Sequence, residues 1–164
     1  MDFKDVKRKF YKKGDILQMQ GDCKLNTYFV KSGLLRSYII DEKAKEHIFM
    51  FAPENWIIGD IYALHEQIET ELFIDVLEDS EVYIINDKLE DYSLEEITIG
   101  MDKLLKRVGV LQNRILMQMS SSALKRYHYF IEIYPDLVQR VPQHMIASFL
   151  GMTPQGLSRI RNSK

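Results

Sequence analysis

The segment YFVKSGLLRSYIIDEKAKEHIFMFAPENWIIGD, Tyr28–Asp60, is the part of the sequence that most clearly indicates the fold. It contains short runs rich in β-branched and aromatic residues, separated by turn signals at Ser32-Gly33 and at Asp41 to Ala44. Apolar and polar residues alternate in RSYII and, further along the chain, in SEVYII. Strands at this close spacing, with no long helical segment between them, predict an antiparallel β-roll, a double-stranded β-helix, over residues 1–93.

The apolar pattern changes its period after the predicted roll. From Leu94 onward, apolar residues recur at alternating steps of four and three, the spacing of the a and d positions of a coiled coil. The residues of this seam are Ile97, Met101, Leu104, Val108, Leu111 and Ile115. A second apolar stripe, which includes Leu105, gives the same helix another surface to bury. We therefore predict a dimerisation helix over residues 94–120; the alternative is one broad face packed inside a monomer.

The segment VPQHMIASFLGMTPQGLSRIRNSK, Val141–Lys164, has the spacing of a helix-turn-helix. Ala147 is a small residue where two helices would cross, Gly151 suits a turn with positive φ, and Leu157 would hold the second helix down. Groups able to donate to base edges or phosphates would lie on the opposite side: Thr153 at the cap, Gln155, Ser158, Arg159 and, near the end, Arg161. We predict a helical DNA-binding segment over residues 121–164; the alternative is a helical hairpin that only closes the fold.

The charge of the chain is unevenly distributed. Residues 1–100 contain 12 Lys and Arg against 21 Asp and Glu, whereas residues 101–164 contain 10 against 3, although the net charge of the whole chain is −2. An acidic body joined to a basic segment favours a polyanion such as DNA as the partner of the basic part. The alternative is a chance difference between solvated faces.

Composition excludes several classes of protein. The single cysteine, Cys23, excludes an intrachain disulfide and a cysteine-ligated cluster within one chain. The sequence has no apolar run near the ~18 residues of a membrane helix and no secretory signal, so we predict a cytoplasmic protein without a membrane partner. No H-x-H pair, G-x-S-x-G, P-loop or glycine-rich dinucleotide turn occurs. We predict no metal site, no catalytic residue and no enzymatic activity.

The ending MIASFLGMTPQGLSRIR resembles the helix-turn-helix of the Crp/Fnr family of bacterial transcription regulators, in particular a short subgroup. Upstream, KKGDILQMQGD, the opening stretch and LEDSEVYII resemble the family's cyclic-nucleotide-binding-like β-roll in order and spacing. The resemblance implies an α+β fold with a sensor roll, a long dimerisation helix and a DNA-binding element. It thus implies a homodimer that binds double-stranded DNA, with RNA polymerase as a further candidate partner, and an arginine at Arg159 that reads guanine.

The candidate ligand pocket departs from the family pattern. Relatives that bind cyclic AMP have a cassette G-E-L-x-L followed by R-S or R-T, whereas this chain has GDIYAL, with Asp60 for the glutamate and Thr70-Glu71 near the place of the arginine. Residues 46–87 contain 11 acidic residues and no Lys or Arg, so a phosphate would meet repulsion. We expect an unknown effector, no cofactor and no cyclic AMP. The pocket candidates are Gly59, Asp60, Ile61, Tyr62, Thr70 and Glu71.

We expect no β-wing of the kind that usually follows the recognition helix, because only three residues follow Arg161. We expect residues such as Arg140, His144 and Lys164 to replace the phosphate contacts of that wing. The alternative function is a ligand-binding or protein-interaction module with a β-roll that no longer binds DNA. The two differ in the salt dependence of duplex binding, which is steep only for a surface that contacts phosphates.

Overall fold

The computed structural model describes residues 7–85 and 93–162, apart from the side chains of 95–97, 99–100, 103 and 106. The chain divides into two compact units, residues 1–86 and 87–164. The described part of the first unit is mainly antiparallel sheet, and that of the second is helical. This succession confirms the predicted α+β fold class.

The first unit is built around two long strands that run antiparallel to each other. Its elements are β1 (Lys7–Tyr11), β2 (Ile16–Gln18), β3 (Thr27–Ile40), β4 (Glu46–Ala52), β5 (Ile57–Ile58), α1 (Ile61–Glu66) and β6 (Phe73–Ile85). The sheet order is β1, β6, β3, β4, with β2 also paired to β6 and β5 to β3. Every described pairing is antiparallel.

The core of this unit follows the alternation of the strands. Along β6, Ile74, Val76, Val82 and Ile84 are buried at every second position of their two runs, while their neighbours are more exposed. Successive side chains of a strand point to opposite faces, so one face of β6 lines the core. The remaining buried members of the cluster are Tyr28, Val30, Leu35, Met50, Ala52 and Ile58.

The turn predicted at Ser32-Gly33 is wrong. Strand β3 continues through both residues, and its pairing with β6 shifts register there. Gly33 has φ +92°, and a Cβ at this position would overlap the hydroxyl of Ser80. Glycine serves equally in a turn and in a bulge, so the local sequence does not distinguish them. The turn predicted at Asp41 to Ala44 is confirmed, and Ala44 has φ +58° within it.

The second unit contains five helices in its described part. They are α2 (Leu94–Ser120), α3 (Ala123–Ile133), α4 (Leu137–Arg140), α5 (Gln143–Phe149) and α6 (Pro154–Asn162). Ser122 caps the start of α3, because its Oγ accepts from Lys125 N at 3.3 Å. Three buried aromatic rings, Phe130, Tyr134 and Phe149, lie 5.4–5.7 Å apart and form the centre of this unit.

Helix α2 has an apolar surface that is largely exposed in the single chain. Met101, Leu104, Val108 and Ile115 of the predicted seam are 42–59% exposed, and Leu111 is half-buried. The side chain of Ile97 lies outside the described residues. Leu105, Leu116 and Met119 of the second stripe are exposed as well. Among the described helices, none is long and apolar enough to cross a membrane.

Candidate nucleic-acid interface

The connection between α5 and α6 is a tight turn fixed by backbone hydrogen bonds. Gly151 N donates to Ser148 O and Met152 N to Ala147 O, both at 3.0 Å. Gly151 has φ +64°, which confirms the positive φ expected from the sequence. The cap predicted at Thr153 is also confirmed, because its Oγ1 accepts from Gly156 N at 3.1 Å. The start of α6 is therefore fixed in direction.

Two fully buried residues hold α6 against the rest of the unit. Ala147 in α5 and Leu157 in α6 are both 0% exposed. Ile146 and Phe149 are buried beside them, so α5 is covered on this side by apolar contacts. Proline suits the first position of a helix, but Pro142 lies one position earlier, as the N-cap before Gln143. The small residue, the turn glycine and the inner leucine are thus combined as in a helix-turn-helix.

The outer side of α6 presents a polar stripe. Gln155, Ser158 and Arg159 are exposed, and Asn162, which the sequence analysis did not single out, is exposed on the same side. These positions are spaced i, i+3, i+4 and i+7, so they share one face of the helix. The spacing from Ser158 is the signal that identifies Asn162.

The remaining predicted contact residues are not part of this stripe, and Lys164 lies outside the described residues. Arg161 is four positions after Leu157, hence on the inner side of α6, and is half-buried, although the sequence predicts it on the outer side. Thr153 is exposed at the start of α6, His144 is exposed on α5, and Arg140 is half-buried at the end of α4.

The charge of this surface has one sign. Residues 141–162 contain two arginines and a histidine and no Asp or Glu. Both arginines lie in the last turn of α6, where positive charge is favoured by the helix dipole. A polar stripe on a firmly packed helix, with no carboxylate on it, is suited to the acceptor-rich edges and phosphates of a DNA major groove.

In the first unit, the Asp60 carboxylate is engaged within the fold. Its Oδ1 accepts from Ala63 N at 3.0 Å, which caps α1, and its Oδ2 accepts from Thr70 Oγ1 at 2.7 Å. The Thr70 hydroxyl in turn accepts from Gln18 Nε2 at 3.1 Å and from Leu72 N at 3.0 Å. The structure therefore brings Asp60 and Thr70 together, but in a hydrogen-bond network that supports the loop around α1.

Of the other pocket candidates, the three that have side chains are exposed. Ile61 and Tyr62 are 42% and 69% exposed, and Glu71 is exposed. A Cβ on Gly59 would lie 3.1–3.2 Å from atoms of Asn26 and Thr27, so the glycine allows two backbone segments to approach closely. Within the described residues, no group of three or more His, Cys, Asp and Glu could hold a metal ion.

Residues 8–91 match the sequence model of a family described as Cyclic nucleotide-binding domain. No curated protein sequence matches the chain. Among solved structures, a CooA mutant from Carboxydothermus hydrogenoformans is similar, with a TM-score of 0.70 and 21% identity, over 98% of this chain and 76% of that chain. FixK2 from Bradyrhizobium japonicum has a TM-score of 0.70 and 17% identity, over 95% and 82% of the two chains.

A transcriptional regulator of the Crp/Fnr family from Thermus thermophilus has a TM-score of 0.71 and 13% identity. The match covers 94% of this chain and 83% of that chain. At these identities the likeness shows the fold, which extends over the strands and the helices alike.

Proposed function

Because the chain belongs to the cyclic nucleotide-binding domain family and shares its fold with Crp/Fnr regulators, we propose that it is a homodimeric, sequence-specific DNA-binding transcription regulator without enzymatic activity. The observation that carries this proposal is the α5–α6 pair. Its inner side is fixed by Ala147 and Leu157, both fully buried, while its outer side is polar and free of carboxylates. A helix held in this way can be inserted into a major groove without losing its own packing.

Base recognition is assigned to the outer stripe of α6. Arg159 can donate to O6 and N7 of a guanine together, because its guanidinium is a planar fork. Gln155 and Ser158 lie on the same face of α6 and supply further donors and acceptors for base edges or phosphates. Contacts to the sugar-phosphate backbone, which position the protein without reading sequence, are assigned to Thr153, Arg140, His144 and Arg161.

Dimerisation is assigned to the exposed seam of α2. Met101, Leu104, Val108 and Ile115 would be covered by the same residues of a second copy, as in a two-stranded coiled coil. A two-fold dimer presents two α6 helices, so its operator would contain two half-sites with inverted sequence, about 34 Å or a multiple of it apart.

The β-roll is assigned to sensing, with an effector other than cyclic AMP. Both oxygens of the Asp60 carboxylate already accept hydrogen bonds, and residues 46–87 supply no cation for a cyclic phosphate. Addition of millimolar cyclic AMP is therefore expected to leave the melting temperature unchanged, since a ligand that binds only the folded state must raise it. A rise of several degrees would contradict this assignment.

Arg159→Ala tests the recognition face directly. We expect it to weaken binding to a cognate duplex by about 1–3 kcal/mol and to relax the base preference at one position, because one bidentate contact is lost. Arg161→Ala is the matched control: it removes the same charge two residues away and should weaken all sequences evenly. Equal losses on cognate and random duplexes for both variants would contradict the assignment of Arg159 to a base.

The salt dependence of duplex affinity tests the function as a whole. Contacts to phosphates release counterions, so the logarithm of the binding constant should fall steeply with the logarithm of salt concentration. A slope near zero would instead support the alternative module that does not bind DNA.

A further inference from the structure

The first strand of the sheet and the turn after it carry a dense set of cations. Residues 7–13 contain five Lys and Arg and no Asp or Glu, whereas residues 14–85 contain 5 Lys and Arg against 14 Asp and Glu. The five cations are Lys7, Arg8 and Lys9 in β1, and Lys12 and Lys13 directly after it. All five are exposed. Residues 7–13, the basic edge, are thus a positively charged surface on an otherwise acidic unit.

Strand β1 lies at one edge of the sheet. Among the described strands it pairs only with β6, with Lys7 opposite Ile84 and Tyr11 opposite Ser80. Lysines on an edge strand discourage pairing with another copy of the chain. That role does not account for Lys12 and Lys13, which continue the set of cations beyond the strand. The basic edge therefore has more positive charge than the protection of an edge requires.

Two of the five cations are already paired within the sheet. Arg8 Nε pairs with Glu81 at 2.5 Å, and Lys12 Nζ pairs with Asp79 at 2.7 Å. The Arg8 guanidinium also lies 4.7 Å from the centroid of the Phe10 ring. Arg8 and Phe10 are two positions apart, so they share one face of β1. The charges of Arg8 and Lys12 are therefore balanced by carboxylates of the fold.

The other three cations have charges that no described carboxylate balances. In the described part of the chain, no ion pair involves Lys7, Lys9 or Lys13. Lys9 Nζ lies 5.7 Å from the centroid of the Tyr11 ring, a contact that leaves its charge intact. Lys7 and Lys9 share the other face of β1, where successive side chains are about 6.6–6.8 Å apart. They present two closely spaced positive charges to solvent.

The type of these cations favours a phosphate backbone as their partner. The ammonium group of lysine is a hydrated point charge on a flexible stem, so it can engage phosphates without a fixed geometry. Interfaces between proteins are, in contrast, depleted in lysine. The remainder of the described first unit is acidic and would repel DNA, so an approaching duplex is favoured only at the basic edge.

We propose that the basic edge binds the phosphate backbone of DNA through Lys7, Lys9 and Lys13. The inference rests on the proposed function, in which α6 supplies the contacts that select the DNA sequence. Contacts to phosphates add affinity without sequence preference, because the backbone is the same for every sequence. The β-roll would then contribute to DNA affinity in addition to the helical unit.

Paired substitutions test this contact on a duplex that extends about two helical turns, roughly 20 bp, beyond the selected site on each side. Lys7→Gln with Lys9→Gln removes two of the unbalanced charges. It should reduce the salt slope of duplex affinity by about one for each phosphate contact that is lost, on cognate and random sequences alike. Lys7→Arg with Lys9→Arg keeps both charges and should keep the slope.

The turn between β3 and β4 supplies the matched control. Lys43→Gln with Lys45→Gln removes two exposed lysines from the same unit at the same spacing in sequence, and it should leave the slope unchanged. Phe10→Ser tests for a protein partner instead. Phe10 is 69% exposed, and a protein partner would use its ring as an anchor, whereas a phosphate contact does not need it. This variant should therefore also leave the slope unchanged.

Equal slopes for the native chain and the Lys7→Gln, Lys9→Gln variant would overturn the proposal and leave the lysines only the protection of the edge. Equal losses in both paired glutamine variants would overturn it as well, because net charge alone would then explain them. If Arg159→Ala relaxes the base preference but the slope does not depend on Lys7 and Lys9, only this contact is refuted. The reverse result supports the contact and refutes the assignment of α6. A native chain that binds no duplex refutes both.

Discussion

Arg36→Ala is expected to lower the free energy of unfolding by about 3–5 kcal/mol, the loss found when one partner of a buried ion pair is removed. Arg36 is only 6% exposed. Its Nε and Nη2 donate to the two oxygens of Asp75, each at 2.8 Å, and its Nη1 donates to Glu46 at 2.5 Å. The guanidinium also lies 4.2 Å from the centroid of the Tyr38 ring. Its loss leaves Asp75, whose side chain is only 14% exposed, without its counter-ion.

The charge of Arg36 is firmly maintained in the folded state. Burial lowers the pKa of its guanidinium, but the hydrogen bonds to Asp75 and Glu46 raise it by more, so that the net pKa lies above its ordinary value. Chemical unfolding at neutral pH measures the effect. Lys12→Ala is the matched control, because Lys12 pairs with Asp79 at 2.7 Å on the open surface and should contribute little. Equal, small losses for both variants would contradict the assignment of Arg36 to the core.

Leu104→Glu is expected to dissociate the dimer. It would place two carboxylates opposite each other in an apolar seam, and the burial of each costs several kcal/mol. Because a loss of about 1.4 kcal/mol in the free energy of binding weakens the affinity tenfold, the dissociation constant should rise by about 10³-fold or more. Analytical ultracentrifugation over a range of concentrations would show monomers where the native chain is dimeric.

The neighbouring residue supplies the control for the seam. Leu105 is 62% exposed but lies outside the predicted a and d positions, so Leu105→Glu adds the same charge to α2 without entering the seam. It should leave the dimer intact. Leu111→Glu is less informative, because Leu111 is already half-buried in the single chain. A dimer that persists in Leu104→Glu would contradict the assignment of the seam as the interface. Dissociation of the dimer by Leu105→Glu would instead indicate that the second stripe is the interface.

The helix-turn-helix could be predicted because its determinants are local. Ala147, Gly151 and Leu157 lie within eleven residues of one another. Ala147 meets a requirement for small size, Gly151 one for positive φ and Leu157 one for burial. The same helical spacing puts Arg161 on the side of Leu157 and Asn162 on the outer stripe. The helical spacing of the residues in α6 is therefore sufficient to predict nearly all of the recognition surface.

The pairings that depend on distant residues could not be predicted. Arg36 and Asp75 are 39 residues apart and meet only because β3 and β6 are adjacent in a particular register. The register of a strand pair is set by which side chains are buried along both strands. Alternation within one strand does not identify its partner or their register. The engagement of Asp60 by Thr70 likewise requires the folded chain, since the two residues lie on opposite sides of α1 in the sequence.

Selection of bound duplexes from a random library measures whether the dimer reads DNA sequence through α6. For a two-fold dimer with α6 in the major groove, we predict enrichment of a palindrome whose half-sites are about 34 Å or a multiple of it apart. Arg159→Ala, selected in parallel, should lose the preference for guanine at one position of each half-site. Recovery of random sequences by the native chain, or of the same motif by both proteins, would contradict the account.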